Sequence, residues 1–282
     1  MTINILDTLE VKQFEAEVHQ VFQEEGNDLG EACRMRNIEG NKTQFPVLGK
    51  LQMSKRIVGT PLITSNQTAT AVEVVTTKYS VSQYTDIFLE SEVNFDAKQE
   101  AAKSVAMAMG RQVDQVIIDA LDASSTSKTV GDSLGGSADD LILAQITSAA
   151  KELDKDGVRG DRYFIVHPSG MHHFLESEPK GTSIDYVAQK NLLDGKMSDP
   201  YYGFRFIMIG DRDEGGLPVP TSNHRTNFAY SKNALGCAVG MDQTVEINYV
   251  PTMGAHLVTG FLSIGSKSID DTGIVKVTTD ES

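Results

Sequence analysis

The apolar stripe on residues 95–123 sets the scale on which this chain can fold. Val105, Met109, Val113, Val116, Ile117, Ala120 and Leu121 recur at helical spacing, with Arg111, Gln112, Asp114 and Gln115 on the more exposed flank. At ~1.5 Å per residue the helix is roughly 40 Å long, far above the usual helix length. Ala101, Ala102, Ala106, Ala108 and Gly110 leave room for other backbone to lie close along it.

The segment before this helix is extended. Pro61 to Thr64 leads into the polar turn cluster Ser65, Asn66, Gln67 and Thr68. Residues 71–84 are then rich in Val, Thr and Tyr, with Val72 and Val74, then Tyr79 and Val81, in strand-like alternation. Two extended stretches around a polar tip predict a long hairpin. Neither flank is apolar enough for a buried central strand, so something outside its own domain must cover it.

Charge reverses along the same stretch. Residues 1–31 hold eight acids and one base, a net of −7, with Val11, Phe14, Val18, Val21 and Phe22 at helical spacing. This reads as an amphipathic helix ending at Gly26, either a solvated surface helix or an arm laid on a partner. Residues 32–60 hold six bases and one acid, a net of +5.

After a linker at 124–137, a second helix is expected from a capping-box-like start at Ser137 to Asp140, ending at Gly157. Residues 162–166 read as a short buried strand, 171–176 as a helical piece and 202–209 as a strand. A long loop at 210–226 follows, then strands at 245–249, 255–264 and 274–277. The fold class is α+β.

Composition narrows the function. A net charge of −14 and a pI near 4.8 exclude a general basic surface for phosphate backbones. No apolar run approaches the ~18 residues of a membrane span. The start has no basic region ahead of an apolar run, so the chain is expected to be cytosolic when made. Cys33 and Cys237 give no disulfide framework and read as buried thiols in a reducing compartment.

Catalytic patterns are weak. Gly131, Ser133 and Gly135 match the serine-hydrolase spacing, but a nucleophile elbow needs a buried strand before the serine and a helix directly after. Here a Ser/Thr/Lys run precedes Ser133 and linker residues follow. His172, His173 and Glu176 lack further metal ligands, and the calcium-loop start at Asp211 fails because Ser222 stands where a bidentate Glu is needed. No phosphate-cradling glycine loop is present. No catalytic residue, metal or cofactor is expected. An esterase using Ser133 stands as the enzyme alternative.

The chain resembles tailed-bacteriophage major capsid proteins, the HK-phage-type shell fold. The likeness is carried by 227–240 (Asn227, Phe228, Tyr230, Gly236, Gly240), 245–249, 255–259, 263–265 and 269–273 (Asp270, Gly273). The order of elements also fits: arm, extended loop, spine helix, axial domain, return strands. The resemblance implies an N-terminal arm (1–49), an extended loop (50–84), a peripheral domain with spine helix and return strands (85–137 and 231–282) and an axial domain (138–230). It implies a non-enzymatic virion shell subunit, built into hexamers and pentamers around DNA in the host cytoplasm. Partners would be copies of itself and a separate scaffolding protein, with portal and decoration proteins beside them, and neither specific nucleic-acid binding nor a membrane. A cellular nanocompartment shell enclosing enzymes is the alternative with the same fold. Two contact sets are expected. Lys50, Lys55 and Arg56 on the hairpin would meet a neighbour's acidic segment, either the N-terminal arm or the stretch with Asp86, Glu90 and Glu92. The loop with Asp211, Arg212, Asp213, Glu214 and Arg225 is either a solvated surface loop or lines the capsomer centre, where the acids repel one another unless the arginines or a cation intervene.

Overall fold

The computed structural model describes residues 26–56, 58–59, 66–87, 96–135, 140–177, 200–212, 214–221 and 223–281. The predicted acidic arm helix, Glu90, Glu92 and Asp213 lie outside these residues.

Strand β1 (Arg34–Asn37) is followed by β2 (Lys42–Leu48), β3 (Ala69–Val75) and β4 (Thr77–Asp86). Strands β2 and β3 pair with each other, in register from Lys42↔Val75 to Leu48↔Ala69. The hairpin therefore spans 42–75, not 50–84. Its expected second limb divides at Thr76: β3 stays in the hairpin and β4 leaves it to join a sheet.

The spine helix α1 runs Ala97–Asp122. Asp96 caps it, its carboxylate accepting from Lys98 N and Gln99 N. That satisfies two of the N–H groups that a helix start leaves unpaired. Strand β5 (Thr129–Val130), helix α2 (Leu143–Lys155), strand β6 (Arg162–Val166), helix α3 (Pro168–Ser177) and strand β7 (Phe204–Met208) follow. Helix α2 starts later than the sequence suggested. Ile142 is its N-cap, and Gln145 Oε1 accepts from Ile142 N. The remaining strands are β8 (His224–Ser231), β9 (Leu235–Val250), β10 (Ala255–Ser268) and β11 (Ile274–Asp280).

The two larger sheets meet at a shared cluster of buried residues. The first has the order β1-β9-β10-β4, with β1 parallel to β9 and the other pairs antiparallel. Helix α1 lies on β10, where Val105 and Met109 pack with Val258. Gly260 permits that approach, since a Cβ there would sit 2.7 Å from Met109 Sδ and from Val105 Cγ1. The second sheet has the order β5-β11-β8-β6-β7. All five residues of β6 are buried, because each of its faces meets a different core. Phe164 and Val166 join α2 and α3, while Tyr163 and Ile165 join Ile117, Ile118, Leu121 and Leu262 of the first layer. Ile274–Asp280, grouped by sequence with the peripheral return strands, instead pairs antiparallel with β8 in this second sheet. No helix among the described residues is long and apolar enough to cross a membrane.

Candidate assembly interface

The hairpin is buried at its root. Phe45 and Val74 are buried against Ala238, with Ile38 and Ile269 beside them, and the Arg34 guanidinium stands over the Phe45 ring at 5.7 Å. Along the strands Lys42 pairs with Glu73 at 2.8 Å, an exposed contact that holds Glu73 below its ordinary value. Gly49 N donates to Thr68 O, and Gln67 Nε2 returns to Gly49 O, closing the end of the ladder. Beyond it, Leu51, Met53 and Val58 are exposed, as are Lys50, Lys55 and Arg56. A two-stranded ribbon is marginal by itself, and this one presents the exposed apolar side chains Leu51, Met53 and Val58 beyond its ladder.

Lys50, Lys55 and Arg56 therefore lie in the tip rather than on a strand limb. Lys50 lines a cleft with Asp156 and Gly157 of its own chain. Asp86 ends β4, paired in register with Ala255. Strand β4 lies at the edge of the first sheet among the described residues.

The 210–226 loop is built into its own subunit. Arg225, buried on β8, donates from Nε to Glu281 Oε1 at 2.6 Å and from Nη2 to Glu281 Oε2 at 3.1 Å and Asp211 Oδ1 at 2.8 Å. Burial works against its charge, but the bonds to Glu281 and Asp211 outweigh it and hold the guanidinium above its ordinary pKa. The Arg225 contact in turn holds Asp211 below the usual carboxylate range. His167 stands between the same two acids, with Nδ1 at 3.0 Å from Glu281 and Nε2 at 3.4 Å from Asp211. At Asp211 the expected self-repulsion is relieved by Arg225, one of the two arginines expected to intervene, and the charge is met inside the subunit. Glu214 is exposed.

Arg212 closes a second clasp. Its guanidinium is 3% exposed and donates to Asp114 Oδ2 at 2.9 Å and Asp28 Oδ2 at 3.0 Å. Asp114 Oδ1 accepts from Leu29 N. Asp114, expected on the exposed flank of α1, is fully buried. Burial pushes its carboxyl up to about 6, with the Leu29 N–H opposing that rise. Gly215 N donates to Gln115 Oε1, so the loop grips α1 across 111–115. From the other side Asn27 N donates to Gly110 O. Gly26, at φ +73°, fits there because a Cβ would fall 2.3 Å from Arg111 N. Sequence reasoning missed Asp114. A carboxylate on the border of an apolar stripe was the available signal.

The catalytic alternatives find no support in the geometry. Ser133 is exposed on the short 3-10 turn Asp132–Gly135, behind the two-residue strand β5, not on a buried strand-to-helix elbow. His172 is exposed and His173 Nδ1 is 3.4 Å from Leu141 O. Among the described residues no group of three or more His, Cys, Asp or Glu is placed to hold a metal ion. Cys33 and Cys237 are both buried. The Cys237 thiol is pushed up by its hydrogen bond with Cys33 and by burial.

A family model described as phage capsid protein matches residues 6–281. The chain belongs to that family. Capsid protein structures share its fold from end to end. The head structure of Helicobacter pylori bacteriophage KHP40 matches with a TM-score of 0.74 at 10% identity, covering 100% of each chain. The capsid of cyanophage P-SCSP1u matches at 0.72 and 16% identity, over 100% of this chain and 96% of that one. The capsid of Ralstonia phage GP4 matches at 0.69 and 11%, over 99% and 98%. No curated protein matches the chain. The protein is thus a phage capsid shell protein with the major capsid fold, and a virion component.

Proposed function

We propose that this capsid protein assembles with copies of itself into hexamers and pentamers that close as an icosahedral head around a DNA genome. Its role in that reading is structural and not catalytic. The observation that carries it is the hairpin at 42–75, whose strands are buried at Phe45 and Val74 and exposed or half-exposed at their other residues. Identical subunits close into a shell when a patch on one meets a complementary patch on the next, and a projecting ribbon supplies the first half of such a pair. Lys55 and Arg56 at its tip meet Asp86, Glu90 and Glu92 of a neighbouring copy. The acidic balance suits an inner wall that does not grip packed DNA. Assembly takes place in the host cytoplasm on a separate scaffolding protein, with portal and decoration proteins completing the head.

The test is co-expression with the scaffolding protein of the same phage, followed by light scattering and negative-stain microscopy. Closed shells, or species of at least pentamer size, are expected. A strictly monomeric protein under all conditions overturns the reading, and shells filled with an enzyme instead of DNA overturn its genome-enclosing part.

A further inference from the structure

Cys33 and Cys237 are the chain's two cysteines, and the fold brings them together across about 200 residues of sequence. Cys33 follows the 3-10 turn Gly30–Ala32 in an extended conformation and stands one residue before β1. Cys237 lies on β9 opposite Met35 of β1. Residues two apart in an extended chain share a face, so the two thiols fall on the same side of the β1–β9 pair. Both sit in one buried cluster with Val113 and Ile117 of α1. The thiols are hydrogen-bonded to each other. Cys33 Sγ donates to Gly30 O at 3.4 Å, which leaves Cys237 as the donor between the two sulfurs. Cys33 also lines a cleft of about 1040 Å³, whose charged lining is Asp28, Glu31, Arg34, Lys232 and Asp242; Cys237 does not.

We infer that Cys33 and Cys237 form a disulfide site, open while the chain is made and closed in the virion after release. A reducing compartment holds such a pair as thiols, whereas a virion in an oxidising medium forms and keeps disulfides. In a regular ladder, a two-residue offset between strands ~4.8 Å apart separates the Cα atoms by about 8 Å. A disulfide accepts up to ~7 Å. Closure therefore draws Cys33 about 1 Å toward β9, at the ladder's end, where Arg34↔Gly236 is the first pair. Hydrogen peroxide is an oxidant small enough for the cleft. Cys33 Sγ takes one peroxide oxygen, giving a sulfenic acid and one water. Cys237 Sγ then attacks Cys33 Sγ: the S–S bond forms, the S–O bond breaks, and hydroxide leaves with the Cys237 proton as a second water. The thiols together lose two electrons and the peroxide gains them. The bond ties the segment that holds Asn27 and Leu29 on α1 to β9, and closes a loop of about 200 residues.

The test treats purified wild-type subunit with dilute hydrogen peroxide, blocks the remaining thiols and digests the protein without reductant. Mass spectrometry should find a Cys33 peptide joined to a Cys237 peptide, two hydrogens lighter than the reduced pair. Sulfoxide at the fully exposed Met53 is the control that oxidant acted. Cells lysed directly into N-ethylmaleimide should instead yield protein blocked at both cysteines once unfolded. The oxidised subunit should melt roughly 4–16 °C above the reduced one, a rise that reductant reverses and that Cys33→Ser, treated in parallel, lacks. Met53 sulfoxide beside two free thiols overturns the inference. So does Cys33 carried on to sulfinic acid, or a link between chains instead of within one. A linked peptide without the rise in melting point overturns the stabilising role of the bond. Because the bond is read in the subunit, failure to form shells overturns the assembly reading alone.

Discussion

Replacing Glu281 by Ala removes the fixed partner of a buried guanidinium. Arg225 gives Glu281 two hydrogen bonds, at 2.6 and 3.1 Å, and its side chain is 7% exposed. Bonds to a charged group contribute about 1.5–3 kcal/mol each. Orphaning a buried charge altogether costs about 3–5 kcal/mol. Asp211 stays behind as a second counterion at 2.8 Å, but it is 77% exposed and compensates only in part. The net expectation is a loss of about 3 kcal/mol, and at ~2–4 °C per kcal/mol a melting point lowered by roughly 6–12 °C. Glu281→Gln, which keeps an acceptor without the charge, should fall between wild type and Ala. Asp211→Ala should cost below about 1 kcal/mol, as exposed pairs do. Calorimetry or urea unfolding of the unassembled subunit measures all three. Equal losses for Asp211→Ala and Glu281→Ala would show that burial does not set the cost, and would refute the reasoning.

Three other outcomes are expected. Lys55→Glu with Arg56→Glu should impair shell formation while the subunit stays folded, and adding Glu90→Lys with Glu92→Lys should restore assembly in part, as shell yield by sedimentation would show. Asp96→Ala removes the carboxylate cap of α1 and should lower stability by about 1 kcal/mol in denaturant unfolding. Asp211 titrates below its unfolded value, so its contribution is present above the ordinary carboxylate range and is lost as pH falls through the lowered value; in Arg225→Gln, its NMR titration should move back up toward pH 4.

What was legible in the sequence was whatever repeats locally. The α1 stripe and the run at 162–166 were both readable, since period and continuous apolarity are local signals. The hairpin limits were not, because 69–86 is one extended stretch whose division at Thr76 is only a change of partner, from β2 to β10. Nor could pattern alone place 274–280 in the second sheet, where its partner β8 lies beyond the whole of β9 and β10. At the candidate contacts, the tip charges were visible in composition. Asp114 and Arg212 were not, since two charged residues 98 apart in sequence read as surface until the fold closes one on the other.

The parallel pairing of β1 with β9 has a consequence for the order of events on the ribosome. Arg34 sits opposite Gly236, with about 200 residues of chain between them. At ~5–20 residues per second that interval takes roughly 10–40 s to synthesise. Through all of it β1 has no strand to pair with, and Phe45 and Val74 have no Ala238 to rest on. The hairpin acquires its fixed direction only when β9 emerges. A nascent chain can therefore offer a tip, but not an aimed one, so correctly oriented contacts between copies wait for nearly finished subunits.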